Sequence, residues 1–154
     1  MSDQTPDTVH RAAQDNFHWQ GVETRRYKEE AGAPFKDVTR QILFSDPHLR
    51  GELRYFEVAP GGYSTLERHE HMHAVLILRG GGRCLVGGEV RDIGLHDLVT
   101  VPPWAWHQFR AAAKEPLGFL CLVNAERDRP QLPSAEDLAA LTKDPDIRDF
   151  LDGR

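Results

Sequence analysis

Eight short runs rich in valine, isoleucine, leucine and phenylalanine follow one another along the middle of the chain: 38–44, 53–58, 73–78, 83–86, 89–93, 97–101, 106–109 and 118–123. Turn-forming residues separate them, among them Asp46-Pro47, Pro60-Gly61-Gly62, Gly80-Gly81-Gly82, Gly87-Gly88 and Pro102-Pro103. Such spacing is the mark of an all-β sandwich or barrel. Gly87-Gly88 should close a two-residue hairpin, because glycine accepts the positive φ that a tight turn demands. No repeat with a period of 20–50 residues is visible, so one barrel is expected rather than a tandem pair.

The ends of the chain read differently. Residues 1–16 are polar and aperiodic and are expected to form a mobile arm, with the barrel over 17–131. Residues 132–154 carry Ser134 and Asp137 after Pro133, a helix-start pattern, with an apolar stripe of Leu138, Leu141, Ile147, Phe150 and Leu151. Pro145 must interrupt it, which predicts two short helices on the outside of the barrel.

At 154 residues the chain is one domain by the usual size argument. A formal charge of −5 disfavours a nucleic-acid partner, and no apolar run approaches the ~20 residues of a membrane span. The polar N-terminus lacks the apolar core of a secretory signal, so a cytoplasmic protein is expected. Cys84 and Cys121 each sit inside an apolar run, as buried free thiols do, with a disulfide as the lesser alternative.

The chemistry is concentrated in residues 60–80, PGGYSTLERHEHMHAVLILRG. Glu67, His69, His71 and His73 fall at alternate positions beside an apolar run, and His107 follows within VPPWAWHQF. Imidazole and carboxylate are good ligands for borderline divalent metals. Alternate residues of a strand share a face, so Glu67 goes with His69, His73 with Val75 and Ile77, and His107 with Phe109.

These residues resemble the two motifs of the cupin superfamily, in particular its small single-domain conserved-barrel members. The first motif is glycine, five residues, His, one residue, His, three or four residues, Glu, six residues, glycine. Gly61, Glu67, His69, His73 and Gly80 match its spacing without a gap, but Glu67 stands where the first histidine is usual and His73 where the glutamate is usual. The second, proline-x-glycine-x-x-His, is matched by Pro102 to His107 with Trp104 in place of glycine. The resemblance covers about residues 38–125. It implies a double-stranded β-helix (jelly-roll) barrel, a metal held by Glu67, His69, His73 and His107, and a homodimer, since an open sandwich needs its edges covered. The segment from Phe17 to Tyr27 is the candidate strand for exchange or edge covering.

Glu67 is read as a ligand, with a supporting hydrogen bond or a general-base role as the open alternatives. His71 falls in the turn between the ligand strands and is expected to face solvent or to back a ligand from behind, with a shifted register that would make it a ligand as the open alternative. Trp104, Trp106, Tyr63 and Phe109 are candidate substrate-wall residues, with Phe56 less certain in parity. Arg68 should point away from the metal, His96 should lie in a turn, and His10, His18 and His48 carry no signal. The ligand set suits Fe, Mn, Ni, Co, Cu or Zn without choosing among them. The resemblance implies dioxygenase, isomerase or lyase chemistry without choosing among them, and an oxidoreductase of the dioxygenase type, acting on a small aromatic or dicarbonyl compound, is the expected reading. The alternative is a non-catalytic barrel that binds a small molecule or metal. An epimerase-type relative would not need these ligands.

Overall fold

A computed structural model of the chain describes residues 9–26 and 36–154. The strands are β1 (Ala13–Gln14), β2 (His18–Trp19), β3 (Thr24–Arg26), β4 (Lys36–Asp46), β5 (Gly51–Tyr63), β6 (His73–Gly80), β7 (Gly82–Val86), β8 (Glu89–Ile93), β9 (Leu98–Val101), β10 (His107–Ala111) and β11 (Leu117–Asn124). Two helices follow, α1 (Ala135–Leu141) and α2 (Pro145–Leu151). Each of the eight apolar runs forms a strand. Strands β4, β5, β6, β7 and β11 extend beyond their runs through backbone pairing that composition does not reveal. Strand β8 keeps its run's bounds, and β9 and β10 each begin one residue later.

Strands β3 to β11 form one curled antiparallel sheet in the order β8-β7-β10-β5-β11-β6-β9, with β4 on β5 and β3 on β4. The curl closes a half-barrel whose inward residues alternate along each strand. Val58, Val75, Ile77, Phe56, Phe119 and Phe109 fill it. The three phenyl rings are in contact, with Phe119 lying 5.6 Å from Phe56 and 5.0 Å from Phe109 between centroids. They make an apolar floor beneath the site described below. Gly87, at φ +64, makes the expected tight turn between β7 and β8.

Residues 1–8 of the expected N-terminal arm lie outside the described residues. Within the rest, β1 pairs with β2, and Phe17 and Trp19 pack on Tyr55 on the outer face of the sheet. Strand β3 runs along the edge of β4 within the same chain, pairing Thr24 with Gln41 and Arg26 with Thr39. Tyr27, at the end of the candidate edge strand, lies outside the described residues.

Ser134 caps α1 in a reciprocal box with Asp137, and Pro145 opens α2 as its first-turn residue, where no backbone N–H is needed. Ile147 and Phe150 of α2 bury against Leu66 and Leu85, with Trp106 packed alongside. Among the described residues, no helix is long and apolar enough to cross a membrane. Cys84 and Cys121 are both buried free thiols.

Candidate metal centre

Three separated stretches deliver three histidines to one end of the half-barrel. His73 is the first residue of β6 and His107 the first of β10. His69 comes from the irregular segment between β5 and β6, which backbone hydrogen bonds lace to the second motif. Glu67 N–H donates to the His107 carbonyl at 3.2 Å, His107 N–H returns to Glu67 at 3.0 Å, and Trp104 N–H donates to the His69 carbonyl at 2.8 Å. The two sequence motifs are thus bound to each other through the main chain.

The ligand atoms of His69, His73 and His107 lie within 4.8 Å of one another. Each ring is turned by what its Nδ1 touches. His69 Nδ1 meets the His71 carbonyl at 2.7 Å, and His107 Nδ1 the Ala105 carbonyl at 3.0 Å. Both must donate there, which leaves each Nε2 a lone pair. His73 Nδ1 is 2.8 Å from Cys121 Sγ, and its Nε2 is 2.9 Å from that of His69. Locking Nδ1 from behind so that Nε2 points inward is how metal-binding imidazoles are oriented.

Electrostatics agree. Burial, reinforced by the neighbouring imidazoles, pushes His73 down to about 2, and burial likewise brings His107 down to about 4 and lowers His69. Neutral rings crowded in this way compete poorly for protons and keep their lone pairs free for a cation. Three imidazole donors beside a carboxylate fit a divalent transition ion.

Glu67 lines the same cavity, with Oε1 4.0 Å from His107 Nε2, beside the three-histidine cluster. The His71 side chain is only 7% exposed and its ring lies flat on His69. Its Nδ1 is 2.7 Å from Asp128 Oδ1, and Asp128 also accepts the backbone N–H groups of Glu70 and His71. Those donors hold the Asp128 carboxyl well below the usual carboxylate range.

Phe109 and Phe56 are in the cavity wall. Tyr63, Trp104 and Trp106 are placed elsewhere. Tyr63 lies under the Arg110 guanidinium, and Trp106 under that of Arg68 at 4.4 Å, pointing to the helix side because its parity is opposite to that of His107. Trp104 is 46% exposed. Its φ is +62, the left-handed conformation that explains why the motif calls for glycine at this position. His96 sits in a turn at φ +70.

The sequence profile of the cupin domain matches residues 54–123. The crystal structure of a cupin 2 conserved barrel domain protein from Rhodopseudomonas palustris is 60% identical, with a TM-score of 0.87 over 92% of this chain and 97% of that one. The chain is a cupin. Among curated proteins, the 1-methylthio-D-xylulose 5-phosphate methylsulfurylase of Rhodospirillum rubrum is 58% identical over 99% of this cupin and 98% of its own length. Gentisate 1,2 dioxygenase 1 of Aquipseudomonas alcaligenes is 28% identical over 64% of this cupin and 32% of that longer protein.

Arg40, Arg54, Cys121, Arg127 and Asp128 are among the cavity residues that escaped the motif reading. Arg54 and Cys121 were within reach of strand alternation, since Arg54 shares parity with the inward Phe56 and Val58, and Cys121 with Phe119. An arginine at an inward position of an apolar strand is a signal in itself. Asp128 lies in an irregular stretch with no periodicity to place it.

Proposed function

We propose that this cupin is a metal-dependent enzyme that removes the methylthio group from C1 of a 1-methylthio ketose 5-phosphate and passes it to a thiol. The observation that carries the reading is Cys121, a cavity thiol whose Sγ sits 2.8 Å from His73 Nδ1 and 3.4 Å from Arg54 Nη2. The full-length likeness to the methylsulfurylase supports the same substrate class. The cavity, about 240 Å³, has room for a small sugar phosphate and not for a macromolecular segment.

A divalent ion on His69, His73 and His107, with Glu67 as a further ligand or as a base, would supply Lewis-acid polarisation of the ketose carbonyl. Cys121 serves as the attacking thiol. Burial raises its pKa, while Arg54, and His73 when it carries its proton on Nδ1, donate hydrogen bonds that favour the thiolate. Attack on the thioether sulfur forms an S–S bond as the C1–S bond breaks. The released electron pair stays on C1, conjugated with the C2 carbonyl, and a proton delivered to C1 completes the 1-deoxy ketose phosphate. Glu67, in the cavity wall, is the assigned proton carrier. Cys121 is left as a methyl disulfide, and a small-molecule thiol regenerates it by exchange.

The test is incubation of metal-loaded protein with 1-methylthio-D-xylulose 5-phosphate and dithiothreitol, followed by proton NMR of the S-methyl signal. Loss of the thioether in the wild type and its persistence with Cys121→Ser is the expected outcome. Persistence in both, with every divalent metal tried, overturns the reading.

The second reading is a dioxygenase acting on a small aromatic or dicarbonyl compound, favoured by the gentisate dioxygenase likeness across 64% of the chain. It gives Cys121 no task. Oxygen uptake with catechols, gentisate and β-diketones separates the two, and a binding-only barrel would show neither reaction. We further propose a cytoplasmic homodimer. The free thiols suit a reducing compartment, and light scattering at a single-chain mass would remove the dimer.

A further inference from the structure

The inward face of the half-barrel turns from polar to apolar with depth. On three strands a reactive side chain is followed, two positions deeper, by a hydrocarbon one: His73 then Val75 on β6, His107 then Phe109 on β10, and Cys121 then Phe119 on β11. Residues two apart on a strand share a face, and all six line the cavity. A histidine-bearing upper part therefore stands over an apolar base.

Cys121 sits on the boundary between them. Strand register sets it opposite Arg54 on one side and Val75 on the other. Phe119 is the next inward residue below it, opposite Ile77 and 5.0 Å from Phe109 between ring centroids. Directly opposed side chains stand about 5 Å apart at Cβ, and the next residue on the same face about 7 Å away. His73 and Arg54 thus reach the Cys121 sulfur with polar groups, while Val75 and Phe119 present hydrocarbon beside and below it.

Attack on a thioether sulfur constrains how the substrate lies. The attacking sulfur, the attacked sulfur and the departing carbon stand nearly in line, so the remaining substituent projects sideways. With the ketose carbonyl toward the histidines and its sulfur at Cys121, the methyl group falls against Val75 and Phe119. A methyl thioether is apolar and makes favourable contacts with aromatic rings.

We infer that Val75 and Phe119 form the seat of the substrate's S-methyl group and set the preference for methylthio over a larger alkylthio group or a hydroxyl at C1. The inference rests on the proposed function for the identity of the substrate. The layering of the cavity is independent of it.

Calorimetric titration of the metal-loaded Cys121→Ser protein, which lacks the attacking thiol, tests it. The ligands are 1-methylthio-D-xylulose 5-phosphate, its 1-ethylthio homologue, and D-xylulose 5-phosphate, which carries a hydroxyl at C1. The methylthio compound should bind at least about tenfold more tightly than either of the others, because an extra methylene overfills a closed seat and a hydroxyl loses its water there. Adding Val75→Ala should bring the ethylthio compound to within about threefold of the methylthio one, and Phe119→Leu should narrow the same gap. Both variants are checked for parental melting, and the ligand series on the parent decides if neither folds. Equal affinity for the methylthio and ethylthio compounds, equal affinity for the methylthio and hydroxyl compounds, or a gap unchanged in both variants overturns the inference. A methylthio preference that Val75→Ala relaxes, without turnover by the wild type, would refute the proposed reaction and leave the methyl seat standing. Turnover of methyl and ethyl thioethers at equal kcat/KM would do the reverse.

Discussion

The imidazoles of His69 and His71 lie face to face, with ring centroids 3.6 Å apart and planes 5° from parallel. His71 alternates in sequence with His69 and His73, yet its Nδ1 is committed to Asp128 and its ring backs a member of the cluster. Asp128 thereby fixes the loop, the backing ring and, through them, His69. Asp128→Asn should weaken metal binding about 10- to 100-fold, in line with other residues that orient ligands from behind. It should also lower the melting temperature. Competition with a chromophoric chelator measures the first effect and calorimetry the second.

The cluster itself distinguishes ligands from support. His69→Ala and His107→Ala should each lose most bound metal, whereas His71→Ala should retain it, as read by elemental analysis of protein purified without chelator or histidine tag. A site emptied by His71→Ala and kept by His73→Ala would mean that His71, not His73, is the ligand.

The buried histidines make the metal-free protein sensitive to acid. His107 is lowered to about 4 and His73 to about 2, against about 6.5 in the unfolded chain. As pH falls below 6.5 the unfolded chain takes up protons that the folded one refuses, so stability is full above that pH and is lost on acidification. Each such histidine contributes a slope of up to about 1.4 kcal/mol per pH unit. Urea midpoints of chelator-treated protein should therefore drop between pH 7.5 and pH 5. A flat or rising midpoint would show that the histidines titrate normally.

Trp104 holds a backbone conformation, φ +62, that costs an L-residue about 1 kcal/mol or more. The ring is partly exposed and lies outside the cavity wall, so little packing offsets that cost. Trp104→Gly should leave stability unchanged or raise it by up to about 1 kcal/mol, where an ordinary buried tryptophan would lose several. Equilibrium denaturation decides between these.

Much of this molecule could be read from its residues in order. Alternation and turn residues located strands β4 to β11, because burial on one side of a sheet repeats every second residue. Ser134, Asp137 and Pro145 located both helices, because caps and proline act over a single turn. Motif spacing selected His69, His73 and His107, because a gap-free match fixes which strand faces turn inward. What spacing could not supply was orientation across the cavity. Trp106 turned to the helix side and Tyr63 under Arg110, since an aromatic's partner is set by whichever neighbouring element covers it.

The chain order alone thus determined a β-barrel with a histidine-rich end. Only the tertiary structure brought Cys121 and Arg54 of adjoining strands to His73, and Asp128 to His71 from 57 positions away. Local pattern records which face a residue takes. Which distant residue it meets depends on strand register and loop path, and those follow from the packing of the whole sheet.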